Sequence, residues 1–540
     1  MKSLANCVAL GAMIWAAAAR IAAGQPVVEA HELFRTSDAC MACHNGLVTP
    51  QGDDVSIGAD WSASMMANSA RDPYWQAAVR REVMDHPAAQ AEIERECSTC
   101  HMPMSHVVAR ESGAHPEVFA HLPIREAATE EDRLAADGVS CTMCHQITDE
   151  NLGAPQSFTG GFVVDTQTGV GQRRIFGPFE VDEGRVTVMR SASDFRPAEG
   201  AHLQTSEVCA TCHTLYTNAL GPDGNVIGEL PEQVPYLEWQ HSAFAEERSC
   251  QSCHMPVVED SMAITSVLGQ PREAFSRHSF RGANLFMLRM LNRYRDELGV
   301  AALPQEMDAS LNRTSRHLQE NTAVVRLEEL QRDGDVIEAV VSVENLAGHK
   351  LPTAYPSRRA WVRFTVRDVD GDVVFESGAL RPDGSIAGND NDADPADYEP
   401  HYTEITREEE VQIYEPILIG PESQVTTGLL TAVDYAKDNR LLPDGFDKSS
   451  ADDDIAVHGA AANDDDFSAG GDRVLYRIDA SGREGPFALS AELWFQPIGF
   501  RWAQNLAPYD EVEPQRFVRY YESMSDVSAL RLAGASATLP

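Results

Sequence analysis

Cys40-Met41-Ala42-Cys43-His44 is the first of five pentads built on one pattern. The others are Cys97-Ser98-Thr99-Cys100-His101, Cys141-Thr142-Met143-Cys144-His145, Cys209-Ala210-Thr211-Cys212-His213 and Cys250-Gln251-Ser252-Cys253-His254. The only cysteine outside them is Cys7. Two thiols three positions apart can add across the two vinyl groups of one haem, and the next residue's imidazole then reaches the iron from one face. A zinc site does not need histidine directly after the second cysteine in every copy. A thioredoxin-like pair occurs once, beside a βαβ pattern, and a disulfide framework spaces its cysteines irregularly. The pattern therefore predicts five covalent c-type haems, one on each pentad.

Attachment of this kind belongs outside the bacterial cytoplasm, and the N-terminus agrees. Lys2 is followed by an apolar run from Val8 to Ala19 and by small residues Ala22-Ala23-Gly24 before Gln25. Residues 1–24 read as a signal peptide, which would remove Cys7. A run of ~12 residues is short of the about 20 that span a bilayer, and no later segment is longer. A periplasmic or extracellular protein without membrane insertion is expected. The chain carries 43 Lys and Arg against 83 Asp and Glu, a net charge of -40. Such a surface repels nucleic acid and predicts redox partner proteins with basic or neutral faces. Composition says nothing of the oligomeric state. Only four cations are lysines, at 2, 350, 437 and 448; arginine's bidentate fork suits haem propionates.

The distribution of cysteine divides the chain. All pentads lie between Cys40 and His254, and no cysteine follows. The expected class is α+β: a mainly helical and irregular multihaem cytochrome domain over 25–320, then a haem-free, β-sandwich-like domain over 321–540. Helices are expected from Asp72 to Glu96 and from Asn284 to Leu298, where Leu285, Leu288, Met290 and Leu291 recur at helical spacing. Strands are expected at Val336–Val343, Ala360–Val366 and Ala488–Phe495, with turns at Asp333-Gly334 and Asp370-Gly371. Two acidic insertions, around 389–397 and 452–472, interrupt them. Asp390, Asp392 and Asp394 alternate as calcium ligands do, and Asp464, Asp465 and Asp466 could add oxygens. Calcium is thus a secondary cofactor expectation, against a plain solvated acidic loop.

Several stretches resemble the bacterial multihaem cytochromes c of the c-552/4 type, distant relatives of hydroxylamine oxidoreductase and pentahaem nitrite reductase. They are Trp61-Ser62-Ala63-Ser64-Met65-Met66 with Arg71-Asp72-Pro73-Tyr74-Trp75, Cys250 to Pro256, and His278-Ser279-Phe280-Arg281-Gly282-Ala283-Asn284. Gly348-His349-Lys350-Leu351-Pro352-Thr353 and Val425 to Leu430 with Asp438 to Pro443 extend the likeness into the β-rich part. Ala354 departs from it, standing where a glycine is expected at a tight turn. The resemblance implies electron transfer and names no substrate.

What fills the sixth iron position separates a carrier from a catalyst: two strong ligands favour electron transfer, and an open position can bind a small molecule. Twelve of the 17 histidines lie outside the pentads. His202 and His241 stand shortly before Cys209 and Cys250, and His278 and His349 lie in family-like stretches; these four are the expected distal ligands, beside His44, His101, His145, His213 and His254. Met66 is a further candidate, because thioether sulfur can bind haem iron. His31 and His106 are reserves, whereas His86, His115, His401 and His458 are expected to make no iron contact. No Cys-x-x-Cys-Lys occurs, so the lysine-ligated haem of pentahaem nitrite reductase has no attachment site. The sequence favours an exported electron carrier over an oxidoreductase acting on a small nitrogen or sulfur compound, or a subunit of a surface conduit or filament.

Overall fold

The computed structural model describes residues 30–540; the expected signal peptide and Cys7 lie outside them. The helix expected from Asp72 to Glu96 forms as two, α1 (Pro73–Asp85) and α2 (Gln90–His101). Asp72 starts the first, its carboxylate accepting from the Tyr74 and Trp75 N–H groups at 2.8 and 3.3 Å. Pro87 explains the division. His86, at φ -128° and ψ 59°, takes the non-helical conformation that a residue before proline prefers. α3 (Pro103–Ser112) follows and ends on Gly113 at φ +78°. Further on, α4 (Leu285–Arg293) buries Leu285, Leu288, Met290 and Leu291, and α5 (Pro304–Asn321) leads into the strands.

The strands are β1 (Ala323–Asp333), β2 (Val336–Asn345), β3 (Arg359–Arg367), β4 (Val373–Ser377), β5 (Gly471–Asp479), β6 (Phe487–Gln496) and β7 (Leu530–Leu539). One sheet runs β5-β2-β1, with Glu404–Ile405 added in parallel on β5, and the other runs β4-β3-β6-β7. The β1–β2 hairpin turns through Gly334 at φ +63°. β2 alternates as its sequence does. Its Ile337, Ala339, Val341 and Val343 join Val362 and Phe364 of β3 and Leu489 and Leu493 of β6 in one apolar cluster. Phe364 meets Tyr476 of β5 with ring centres 4.2 Å apart, so side chains of both sheets share that core. Each large apolar side chain buried there stabilises the fold by roughly 1.5–3 kcal/mol.

Residues on the two sides of position 320 also share a core. α6 (Val512–Glu522) lies on α1. Tyr74 and Ala77 of α1, Phe286 and Leu291 of α4, and Phe517, Tyr520 and Tyr521 of α6 form a second apolar cluster. Arg80 pairs with Glu513 at 2.8 Å. Glu82 of α1 accepts from the Leu429 and Leu430 N–H groups at 2.9 and 3.3 Å, which anchors a family-like stretch of the β-rich part directly on α1. Among the described residues no helix is long and apolar enough to cross a membrane.

In the acidic insertion at 389–397, one of the expected calcium ligands is committed to a protein partner. Asp390–Ala393 is a helical turn, and both oxygens of buried Asp392 are held by Arg359 at 2.7 and 3.0 Å. Asp394 caps the Ala396 N–H at 2.9 Å. A carboxylate clamped by a guanidinium has its charge already compensated, which takes Asp392 out of the expected calcium set.

Candidate functional site

Each pentad lies on or next to a short helical segment: Asp38–Met41, the end of α2, Cys141–Cys144, Ser206–Ala210 and Cys250–His254. Helical residues three apart share a face, so each segment presents its two thiols together. The ten pentad cysteines form no disulfides and are half-buried. Thiols of different pentads are neighbours: Cys40 with Cys141, Cys100 with Cys212, and Cys209 with Cys250. Cys144 lies in the electrostatic reach of Cys212, and burial pushes its thiol up to about 12. The pentads therefore form one connected group. The first touches the third, the third lies within electrostatic reach of the fourth, and the fourth also meets the second and the fifth.

Four of the five pentad histidines share a second feature. The Nδ1 atoms of His44, His101 and His145 meet the carbonyls of Ile264, Ser69 and Phe176 at 2.7, 3.2 and 2.6 Å, and that of His254 meets the carbonyl of Arg281. A carbonyl accepts only, so Nδ1 carries the proton and the Nε2 lone pair is left free, as an imidazole that binds iron requires. Burial lowers His101 and His254 to about 4 and keeps both neutral. Trp75 covers His101 with ring centres 4.4 Å apart and planes within 3°.

Two of the expected distal histidines face pentad histidines. The His278 ring lies 6.2 Å from that of His145, centre to centre, with planes 15° from parallel. The His349 ring lies 6.2 Å from that of His254, at 18°. Both also place Nδ1 on a carbonyl, Ser276 at 3.0 Å and Lys350 at 2.9 Å. His202 and His241 are oriented the other way. Their Nε2 atoms sit on the carbonyls of Ile147 and Asp447, at 2.8 and 3.1 Å, and so act as N–H donors. Met66 is half-buried beside the third pentad, its carbonyl accepting from the Val139 N–H at 3.0 Å. The reserve His106 is buried, with Nδ1 3.0 Å from the Ser98 hydroxyl.

A buried charge network positions His349. Lys350 is wholly buried and donates to Asp438 at 2.7 Å and to the Ala456 carbonyl at 3.0 Å. Arg440 pairs with Asp438 at 2.7 Å and with Glu238 at 2.9 Å. Glu238 in turn accepts the Lys350 N–H at 3.1 Å. Two cations and two carboxylates balance, which is the condition for burying charge. The network ties the loop carrying His349 to the helix that precedes the fifth pentad. Glu238, Asp438 and Arg440 were missed by sequence reasoning; the available signal was Lys350 itself, a rare lysine inside a family-like stretch.

A third cluster, His401 with Asp464 and Asp472, is buried and has the composition of a metal site. Its hydrogen bonds argue otherwise. His401 Nδ1 accepts from the side-chain amides of Gln412 and Asn439 at 2.9 and 3.0 Å. Both amides are fixed, because their oxygens accept from the Tyr402 and Glu415 N–H groups. The proton is therefore on Nε2, which donates to Asp464 at 2.9 Å, and no lone pair faces the carboxylates. The cluster is a structural network.

Neither a family model nor a curated protein matches the sequence. Among solved structures the chain is similar to a penta-haem cytochrome c552 from Thermochromatium tepidum. The likeness covers 94% of this chain and 100% of that one, with a TM-score of 0.55 and 17% identity. It shows the fold: this chain has the fold of a multihaem cytochrome c.

Proposed function

We propose that the chain is an exported pentahaem c-type cytochrome that carries electrons between redox proteins. Two observations stand behind this reading, the connected group of five pentads and the likeness to a penta-haem cytochrome fold. A third carries it furthest, the ring spacing of the His145–His278 and His254–His349 pairs. Two imidazoles bound through Nε2 on opposite sides of one metal, at about 2 Å per bond, have ring centres about 6 Å apart. Each pair thus has the spacing to hold one iron, with His278 and His349 as distal ligands. Haem held in this way would supply a one-electron couple at each site.

The chain's own residues set the orientation of these ligands. Carbonyls fix the tautomers, Trp75 backs His101, and the Lys350–Asp438–Arg440–Glu238 network holds the His349 loop. His202, His241 and Met66 belong to the same proposal only if the holoprotein turns their donor atoms toward iron. Stopped-flow oxidation of the reduced holoprotein tests the function. Electron exchange with a protein partner, without turnover of nitrite, hydroxylamine or tetrathionate, supports the carrier. Fast saturable turnover of one of these compounds without a partner would make the protein an oxidoreductase.

A further inference from the structure

The first pentad lies at an end of the connected group, and the chain around it builds a distinctive surface. The loop between the paired strands Met262–Ala263 and Pro271–Arg272 lies against this pentad. The Ile264 carbonyl meets His44 Nδ1 at 2.7 Å, and Ser266 donates to the Cys43 carbonyl from its N–H and its hydroxyl at 2.8 and 3.0 Å. Beneath lies a small core of Leu47, Val55, Val258 and Phe275, packed by Met262 and Ile264.

From that core the next residues along the chain point outward. Leu268 is 64% exposed, and Val48, Val267 and Val257 are 55, 46 and 43% exposed. Leu268 has φ +52°, a conformation that costs an L-residue roughly 1–2 kcal/mol. Arg185 holds it there by donating to the Leu268 carbonyl at 2.7 Å. An apolar side chain is thus kept in water at a conformational cost. Asp53, Asp54, Glu259 and Glu273 are exposed on the segments that flank the small core, and Gln51 joins the first loop to Asp260 at 3.3 Å. Of the nearby cations, Arg277 pairs with Asp60 and Arg185 with Asp182, while Arg272 donates to the Glu180 carbonyl at 2.6 Å and lies over the Phe179 ring.

We propose that this face docks a redox protein whose own contact surface is an apolar centre ringed by lysines. The proposal rests on the carrier reading above. An apolar centre with a charged rim is the anatomy of a transient protein interface, in which the rim sets the association rate. The acidic rim turns away anionic lipid.

The test uses the holoprotein with a lysine-rich single-haem cytochrome c as the probe. Carbodiimide cross-linking should join Asp53, Asp54, Glu259 or Glu273 to lysines of the probe. Leu268→Lys, and separately Glu259→Lys with Glu273→Lys, should each lower the second-order rate about tenfold at low ionic strength. The charge reversal should also flatten the salt dependence. Haem content and thermal midpoint should match the parent, which shows that the variants fold. Parent-like rates with cross-links elsewhere would overturn the docking face alone. A parent protein that exchanges electrons with no protein probe would overturn the carrier reading with it.

Discussion

His349 and His254 face each other with ring centres 6.2 Å apart and planes 18° from parallel, although His254 closes the last pentad and His349 lies beyond all five. The β-rich part of the chain thereby supplies an imidazole to the haem-attachment region, with His278 doing the same for the third pentad. His349→Ala and His278→Ala should each convert one haem of five from low spin to high spin and leave the rest unchanged. Electron paramagnetic resonance of the oxidised protein measures this. Parent spectra for both variants would remove these ligands from the account.

Lys350 holds the loop that carries His349. Lys350→Met leaves Asp438 and Glu238 with one buried cation between them, and breaking such a buried pair costs about 3–5 kcal/mol. Denaturant unfolding should show a loss of that size, together with partial high-spin character at the fifth haem. A variant with parent stability and spectrum would make the network irrelevant to His349.

Glu232 gives the fold a pH dependence. Burial raises its carboxyl from 4.5 to about 7, opposed by a hydrogen bond from Thr217 and helped by the charges of Glu82 and Glu96. The folded state thus keeps a proton that the unfolded state releases. The stability this contributes is complete below pH 4.5 and is lost as pH rises through about 7. The loss amounts to about 3 kcal/mol. Glu232→Gln should flatten the fall in unfolding midpoint between pH 4.5 and 8 by about this amount; parallel curves for variant and parent would contradict it.

Ala354 completes the turn after Lys350-Leu351-Pro352-Thr353 at φ +66°. The turn forms although the glycine expected there is missing, and the Cβ bears the cost of the left-handed conformation. Ala354→Gly should raise stability by about 1 kcal/mol, read from the denaturant midpoint. A destabilised variant would show that the alanine methyl packs favourably enough to outweigh the backbone term.

Sequence legibility follows the range of the interaction. The pentads are local signals, and so are the β2 and β6 alternations, because a side chain's face depends only on its parity; β3 is instead buried on both faces. The single helix expected through His86 fails at Pro87, which was also a local signal. His278 and His349 were visible through the stretches around them. Proximity along the chain was a poorer guide: His202 and His241 stand near pentads, yet their Nε2 atoms lie on carbonyls. The meeting of pentads, the Lys350 network and the return of α6 to α1 depend on long-range packing that one sequence does not display. The balanced charges of Glu238 and Arg440, for example, become partners only after the fold brings them together.

Five covalent haems acting as one electron-carrying group can be counted and titrated together, by reductive titration of the mature holoprotein with mass determination. The account predicts five haem additions on a chain beginning near Gln25, all reversibly reduced, with five electrons taken up per molecule. Four or fewer haems in fully matured protein, or haems that do not exchange electrons with one another, would contradict it.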